Sequence, residues 1–192
     1  MKNAILLHGS SCNPNSYWLP SIKKFLESIG YSVYAPQLPN PERPDLKIQL
    51  PFVLNGTDLN KDTVIVAHSS GCPLALSILE NTNISINKVI LVAGFARTLN
   101  KITDPQLKKE EEETEPILQE KYNWEKIRNN VKDIVFINSD NDPWGCDDKE
   151  GGYMFRNLGG TLIIRHGEGH MGSDTFNQPY KKFPLLEKLL DL

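Results

Sequence analysis

The chain has 192 residues, 39% of them hydrophobic and 23% charged, with a formal net charge of −3. These proportions fit one globular domain of ordinary size and exclude an intrinsically disordered chain. The slight negative charge gives no electrostatic reason to expect nucleic acid or an anionic membrane as partner, and no apolar run approaches the roughly 18 residues of a membrane span.

In chain order, residues 3–7 read as a short buried strand. Trp18, Ile22, Phe25, Leu26 and Ile29 recur at helical spacing, and Gly30 stands where a C-cap belongs, which predicts a helix over 17–29. Residues 31–35 supply a second strand. Pro36, Pro39, Pro41 and Pro44 then make 36–60 read as a loop, too rich in proline at its start for a helix or a central strand. Four further strands are expected at 63–67, 88–92, 134–138 and 161–165, with a helix-like stretch over 70–79 after the first of them. A closing helix over 183–192 carries Leu185, Leu186, Leu189 and Leu190. Strands alternating with helices imply an α/β three-layer sandwich: a mostly parallel sheet of about six strands with helices on both faces.

No repeat or break in composition divides residues 1–192, so one domain without a large lid is expected. Only about 40 residues separate 92 from 134, room for a helix or two. Within them, 108–115 is two lysines followed by five glutamates broken once by Thr114, which reads as a solvated helix face. Cys12, Cys72 and Cys146 are few and odd in number, and no charged and apolar leader precedes the first strand. Both features point to a reducing, cytoplasmic setting.

The chemistry gathers where strands end. Ala67-His68-Ser69-Ser70-Gly71 reads as a G-x-S-x-G nucleophile elbow with Ala in place of the first Gly. A strand turning sharply into a helix holds the central serine in a strained conformation with its hydroxyl clear of the sheet. The small residues at the ends let strand and helix pack around the turn. Ser69 lies centrally between Ala67 and Gly71, whereas Ser70 opens the helix as a backbone donor. Downstream, 133–138 leads into Ser139-Asp140-Asn141-Asp142-Pro143-Trp144-Gly145, and 160–165 leads into the glycine-rich loop His166-Gly167-Glu168-Gly169-His170. The order Ser, Asp, His is that of α/β-hydrolases. A serine hydroxyl needs a base to take its proton, and the base needs a carboxylate to hold its tautomer. Asp140 and Asp142 both qualify as the acid, Asp140 also as an Asx-turn former. His170 sits where a base belongs. His166 reads as structural or pocket-lining, His68 as packing at the elbow, and His8 as part of the loop after the first strand.

No cofactor motif and no metal site emerge. A His166-x-x-x-His170 pair would face one ion only on a helix, and Gly167 and Gly169 argue against one. The run from Asp140 to Gly145 lacks an oxygen ligand at Trp144 and a glutamate at Gly151, so it is no calcium loop. Trp144, Tyr17 and Trp18 are candidates for pocket walls or core aromatics.

Several segments together resemble the family of retinoblastoma-binding protein 9 and the bacterial YdeN proteins, small lidless α/β-hydrolases. They are Leu7-His8-Gly9-Ser10-Ser11, Trp18-Leu19-Pro20 with Lys23-Lys24, 30–41, His68-Ser69-Ser70-Gly71, Ser139-x-x-Asp142-Pro143 and Gly169-His170. The resemblance runs nearly end to end. Its departures are Ala67 and a divergent stretch over 43–60. It implies Ser69 as nucleophile, Asp142 as acid and His170 as base, in a serine hydrolase. The reaction expected of a shallow, lidless site is acyl transfer to water from a small ester, thioester or activated amide. The oxyanion would rest on the backbone N–H groups of Ser70 and Ser10, with Gly9 allowing close approach and His8 and Trp144 beside the pocket. The alternative is a catalytically quiet protein-binding module on a hydrolase fold, docking a protein partner through the acidic run.

Overall fold

A computed structural model describes residues 1–99 and 101–191. The elements are β1 (Asn3–Leu7), α1 (Leu19–Ser28), β2 (Ser32–Tyr34), α2 (Leu46–Gly56), β3 (Val64–His68), α3 (Gly71–Asn81) and β4 (Ile86–Val92). They continue with α4 (Pro105–Thr114), α5 (Trp124–Asn129), β5 (Val131–Ser139), α6 (Asp148–Leu158), β6 (Thr161–Arg165) and α7 (Pro184–Leu190), with a 3-10 turn at Glu115–Ile117 after α4.

All six strands are parallel, in the order β2-β1-β3-β4-β5-β6. Central strands of such a sheet are covered on both faces, so they read as continuous apolar runs rather than as alternation. Every residue of β3 is buried, as are the last four of β1, whereas the edge strands β2 and β6 are partly exposed throughout. The α1 and α7 helices pack on each other in one layer, while α2, α3, α5 and α6 pack in succession in the other. No described helix is long and apolar enough to cross a membrane.

Strand order decides where a site can form. The chain leaves β1 toward β2 and returns on its other side as β3, so the order reverses at β1. Ligands of open α/β sheets bind at the carboxyl ends of the strands beside such a reversal. Leu7 at the end of β1 pairs with Ala67 of β3, which brings the following loops together. At the other end, Ser139 pairs with Arg165, so the loops after β5 and β6 also start side by side.

Two helices stand where the sequence predicts none. The α2 helix lies within the expected loop and contains Pro51, which cannot donate an intrahelical bond. Asp45 caps it by accepting the Lys47 N–H at 2.8 Å, and burial of Gln49 and Val53 holds it on the domain. The α6 helix contains Gly151 and Gly152, which lower helix propensity. Asp147 caps it, accepting N–H groups from Lys149 and Glu150. A Cβ on Gly151 would stand 2.6 Å from Asn138 Oδ1, so close packing on β5 explains the glycine. The closing helix is shorter than predicted, and Leu192 of that expectation lies outside the described residues.

Candidate active site

The β3–α3 junction has the shape that the elbow pattern predicts. Ser69 directly follows β3 with φ at 52°, a left-handed conformation costly for a residue with a Cβ. Two hydrogen bonds hold it there: its N–H donates to Val92 O at 3.0 Å, and its carbonyl accepts from Cys72 N at 2.8 Å. Gly71 must lack a side chain, because a Cβ would meet Leu7 O at 2.8 Å and His8 O at 2.9 Å. The α3 helix therefore starts against the backbone of β1, and its N-terminal amides open beside Ser69.

The loop after β1 approaches from the other side. A Cβ on Gly9 would stand 2.9 Å from Ser69 Cβ and 3.4 Å from its Oγ. Further along this loop, Ser11 N–H is spent on Pro41 O at 2.8 Å. Among the described residues, neither the Ser10 nor the Ser70 N–H donates to a turn, loop or side-chain acceptor.

Asp142 and His170 meet behind this cleft. His170 Nδ1 lies 2.8 Å from Asp142 Oδ2, and their side chains are 5% and 0% exposed. Asp142 Oδ1 accepts a second hydrogen bond, from the Trp144 N–H at 2.9 Å. A carboxylate can only accept, so Nδ1 carries the proton, and the tautomer this selects for a neutral ring leaves the lone pair on Nε2. The loops that deliver the pair are stitched together: Glu168 N–H donates to Ser139 Oγ at 3.0 Å and Gly169 N–H to Asn141 Oδ1 at 2.8 Å. The His170 N–H donates to Gln178 Oε1 at 2.8 Å. His68 completes the support, its Nε2 lying 3.0 Å from His170 O. Only an Nε2–H can satisfy that carbonyl. Burial and the neighbouring His170 push the His68 ring down to about 3, so it stays neutral.

Ser69 and His170 line one cavity of about 330 Å³ together with Gly9, Ser10, Tyr17 and Trp144. The α4 helix closes part of it through Glu110, Glu111, Glu113 and Thr114. The acidic run is solvated, as its composition predicts, with no buried residue in α4; the same helix also borders the cavity.

Other sequence candidates fall elsewhere. Asp140 pairs with His166 instead, Oδ2 to Nδ1 at 2.6 Å, and also accepts the Gly167 N–H at 2.9 Å. His166 is 97% exposed there and lines no part of the cavity. His8, expected beside the pocket, is a second correction. Its ring is buried, with Nδ1 2.8 Å from Gly9 O and Nε2 accepting the Leu38 N–H at 3.0 Å. It shapes the loop rather than lining the cavity, and burial lowers its basicity.

Cys146, on the loop after β5, also lines the cavity, and its ligand atom lies within 4.8 Å of those of Asp142 and His170. Two donors on one tetrahedral zinc ion sit about 3.3 Å apart. The 2.8 Å between Asp142 and His170 is a hydrogen-bond spacing instead, and burial pushes the Cys146 thiol up, away from the thiolate a metal would need.

Comparison with known proteins gives a consistent picture. The profile of the serine hydrolase family matches residues 4–191. YdeN of Bacillus subtilis (strain 168) is 35% identical over 101 residues, 51% of this chain and 53% of that protein. Serine hydrolase RBBP9 of Rattus norvegicus is 28% identical over 128 residues, 66% of this chain and 63% of that protein. The alignments thus span between half and two thirds of these relatives. The solved structure of the B. subtilis ydeN gene product superposes with a TM-score of 0.85 at 26% identity, covering 100% of this chain and 97% of that one. The esterase Est1E of Butyrivibrio proteoclasticus, solved with ferulic acid bound, shares the fold at a TM-score of 0.65 and 13% identity, covering 99% of this chain and 90% of that one.

Proposed function

The chain belongs to the serine hydrolase family, and we propose that it hydrolyses a small ester, thioester or activated amide through an acyl-enzyme on Ser69. His170 Nε2 takes the Ser69 hydroxyl proton as Oγ bonds to the substrate carbonyl carbon. The carbonyl π pair moves onto oxygen, and the Ser10 and Ser70 N–H groups hold the oxyanion. Collapse of the intermediate breaks the bond to the leaving group, which departs with the proton from His170. A water, deprotonated by the same nitrogen, repeats the sequence on the acyl-enzyme and releases the acid and free Ser69. Asp142 keeps the Nδ1 proton in place and stabilises the imidazolium formed in each half-reaction.

The observation that carries this reading is the buried Asp142–His170 hydrogen bond behind a cavity that Ser69 enters with φ at 52°. A quiet binding module gives no reason to keep a strained serine beside a buried Asp–His pair, so it stands second. We read residues 1–192 as one hydrolase domain without a large lid, since among the described residues the stretch from β4 to β5 supplies only α4, the 3-10 turn and α5. Three free cysteines favour a reducing compartment such as the cytoplasm.

The test is labelling by a fluorophosphonate probe of wild type beside Ser69→Ala and Asp142→Asn. The reading requires labelling of wild type, none of Ser69→Ala, and slow labelling of Asp142→Asn. Equal labelling of wild type and Ser69→Ala, or none of folded wild type, would remove it.

A further inference from the structure

The same cavity carries an unbalanced charge. Glu42, Glu110, Glu111, Glu113 and Asp174 line it beside Ser69 and His170, and among the described lining residues there is no lysine or arginine. Only Glu113 has an ion-pair partner among the described residues: Arg43, at 2.9 Å, with 72% of its side chain exposed at the rim. Glu111 is the more telling member. Its Oε1 is buried and meets no hydrogen-bond donor among the described residues. Burial, first, and the nearby Glu115 and Glu112 push its carboxyl above the ordinary range.

A carboxylate oxygen shut away from water without a donor is destabilising, and native structures keep few of them. A cation in the cavity would offset the charge of Glu110 and Glu111, which no described lysine or arginine pairs. Tyr17 and Trp144 also line the cavity, and aromatic rings attract ammonium groups that come over their faces. A cleft of one charge sign with low-dielectric walls also concentrates ligands of the opposite sign.

We infer that the substrate is cationic: an ester or amide bearing a protonated amine, quaternary ammonium or guanidinium group on the portion that reaches Glu110 and Glu111 on α4. The inference rests on the Ser69 hydrolase reading and deepens it. An anionic substrate, such as a phosphorylated or dicarboxylic ester, would meet repulsion from this wall.

Pairs of esters that differ only in charge provide the test. One pair places the cation on the leaving group: butyrylcholine and 3,3-dimethylbutyl butyrate. The other places it on the acyl group: the 4-nitrophenyl esters of 4-(trimethylammonio)butanoate and 5,5-dimethylhexanoate. With rates divided by those of hydroxide-catalysed hydrolysis, kcat/KM should favour the cationic member of at least one pair by about tenfold or more at low salt. The favoured pair reports which side of the ester lies under α4. That preference should shrink toward one in Glu110→Gln/Glu111→Gln and in high salt. Turnover of the neutral esters with no cation preference in either pair would overturn this inference and leave the hydrolase reading intact. A preference that persists in the double variant would also overturn it, placing recognition elsewhere. No turnover of any ester by folded protein, with no fluorophosphonate labelling, would remove both.

Discussion

Two Asp–His pairs bridge the same two loops, and they could hardly differ more in surroundings. Asp140 and His166 meet at 2.6 Å, Asp142 and His170 at 2.8 Å, each through Nδ1 and Oδ2. The histidine of the first is 97% exposed and that of the second 5%. Hydrogen-bond geometry therefore does not separate a buried pair from a surface one. Water does. The outer pair is open to solvent on its histidine side, where water competes for its hydrogen bond and screens its charge. The inner one has a second donor on its carboxylate, a neighbour on its backbone carbonyl and a cavity in front of its ring. Its tautomer is fixed, and its orientation is set before substrate arrives.

The sharpest way to break this contrast is to remove each histidine. We expect His170→Ala to lower kcat for a 4-nitrophenyl ester by about 10⁴- to 10⁶-fold, with circular dichroism unchanged. His166→Ala should stay within about twofold of wild type, as surface substitutions generally do. Equal losses in both would show that the outer pair is no bystander. The carboxylates give the next largest effect. Asp142→Asn should cost about 10³- to 10⁴-fold in kcat, because an amide favours the wrong tautomer of the ring it faces. Asp140→Asn should leave kcat where it was.

The contrast extends to stability, where the inner and outer histidines should respond to pH with opposite signs. Folding holds the buried His68 at about 3, below its ordinary 6.5. Between those values the unfolded chain binds the proton and the folded chain does not. His68 therefore contributes fully above pH 6.5, and that contribution is lost as pH falls toward 3, a loss of up to a few kcal/mol. His8, also lowered by burial, acts in the same direction. Thermal melts of wild type and His68→Gln from pH 7.5 to 4.5 should show a steep fall in Tm for wild type and a shallower one for the variant. Parallel curves would mean that His68 is already protonated in the native state.

Strand termini, and with them Ser69 and His170, were legible because parallel sheets write themselves as short apolar runs and deliver chemistry at their ends. The elbow was legible from Ala67 and Gly71, since small residues there have a steric cause. The choice between Asp140 and Asp142 was legible only through the family resemblance, in which the residue before Pro143 is the acid: both follow the same strand, and in the structure burial separates them. The α2 helix was hidden by Pro51 and the prolines that precede it, and α6 by its glycines, because tertiary packing overrides local propensity at Val53 and Gly151. The role of α4 as a cavity wall was hidden for another reason. Sequence patterns find core-facing helices by their apolar stripe, and α4 turns glutamates toward the cavity.

The smallest expected effect concerns the outer pair itself and separates a hydrogen bond from a chance approach. Asp140, first, and its charge raise the His166 ring above 6.5. The Gly167 N–H and then His166 lower the Asp140 carboxyl below 3.8. A histidine raised in the folded state stabilises fully below 6.5 and loses that contribution as pH rises through its folded value. A lowered carboxylate contributes above 3.8 and loses its share as pH falls through its folded value. The pair thus helps most between those limits, where His68 is already losing ground, and being exposed it helps little. Its mark should be visible only locally. In a ¹H–¹⁵N NMR titration the His166 ring should titrate above 6.5 and drop back in Asp140→Asn, with the His170 signals unmoved. A His166 midpoint indifferent to Asp140→Asn would mean that the two side chains do not stay together in water, and that burial alone keeps the inner pair joined.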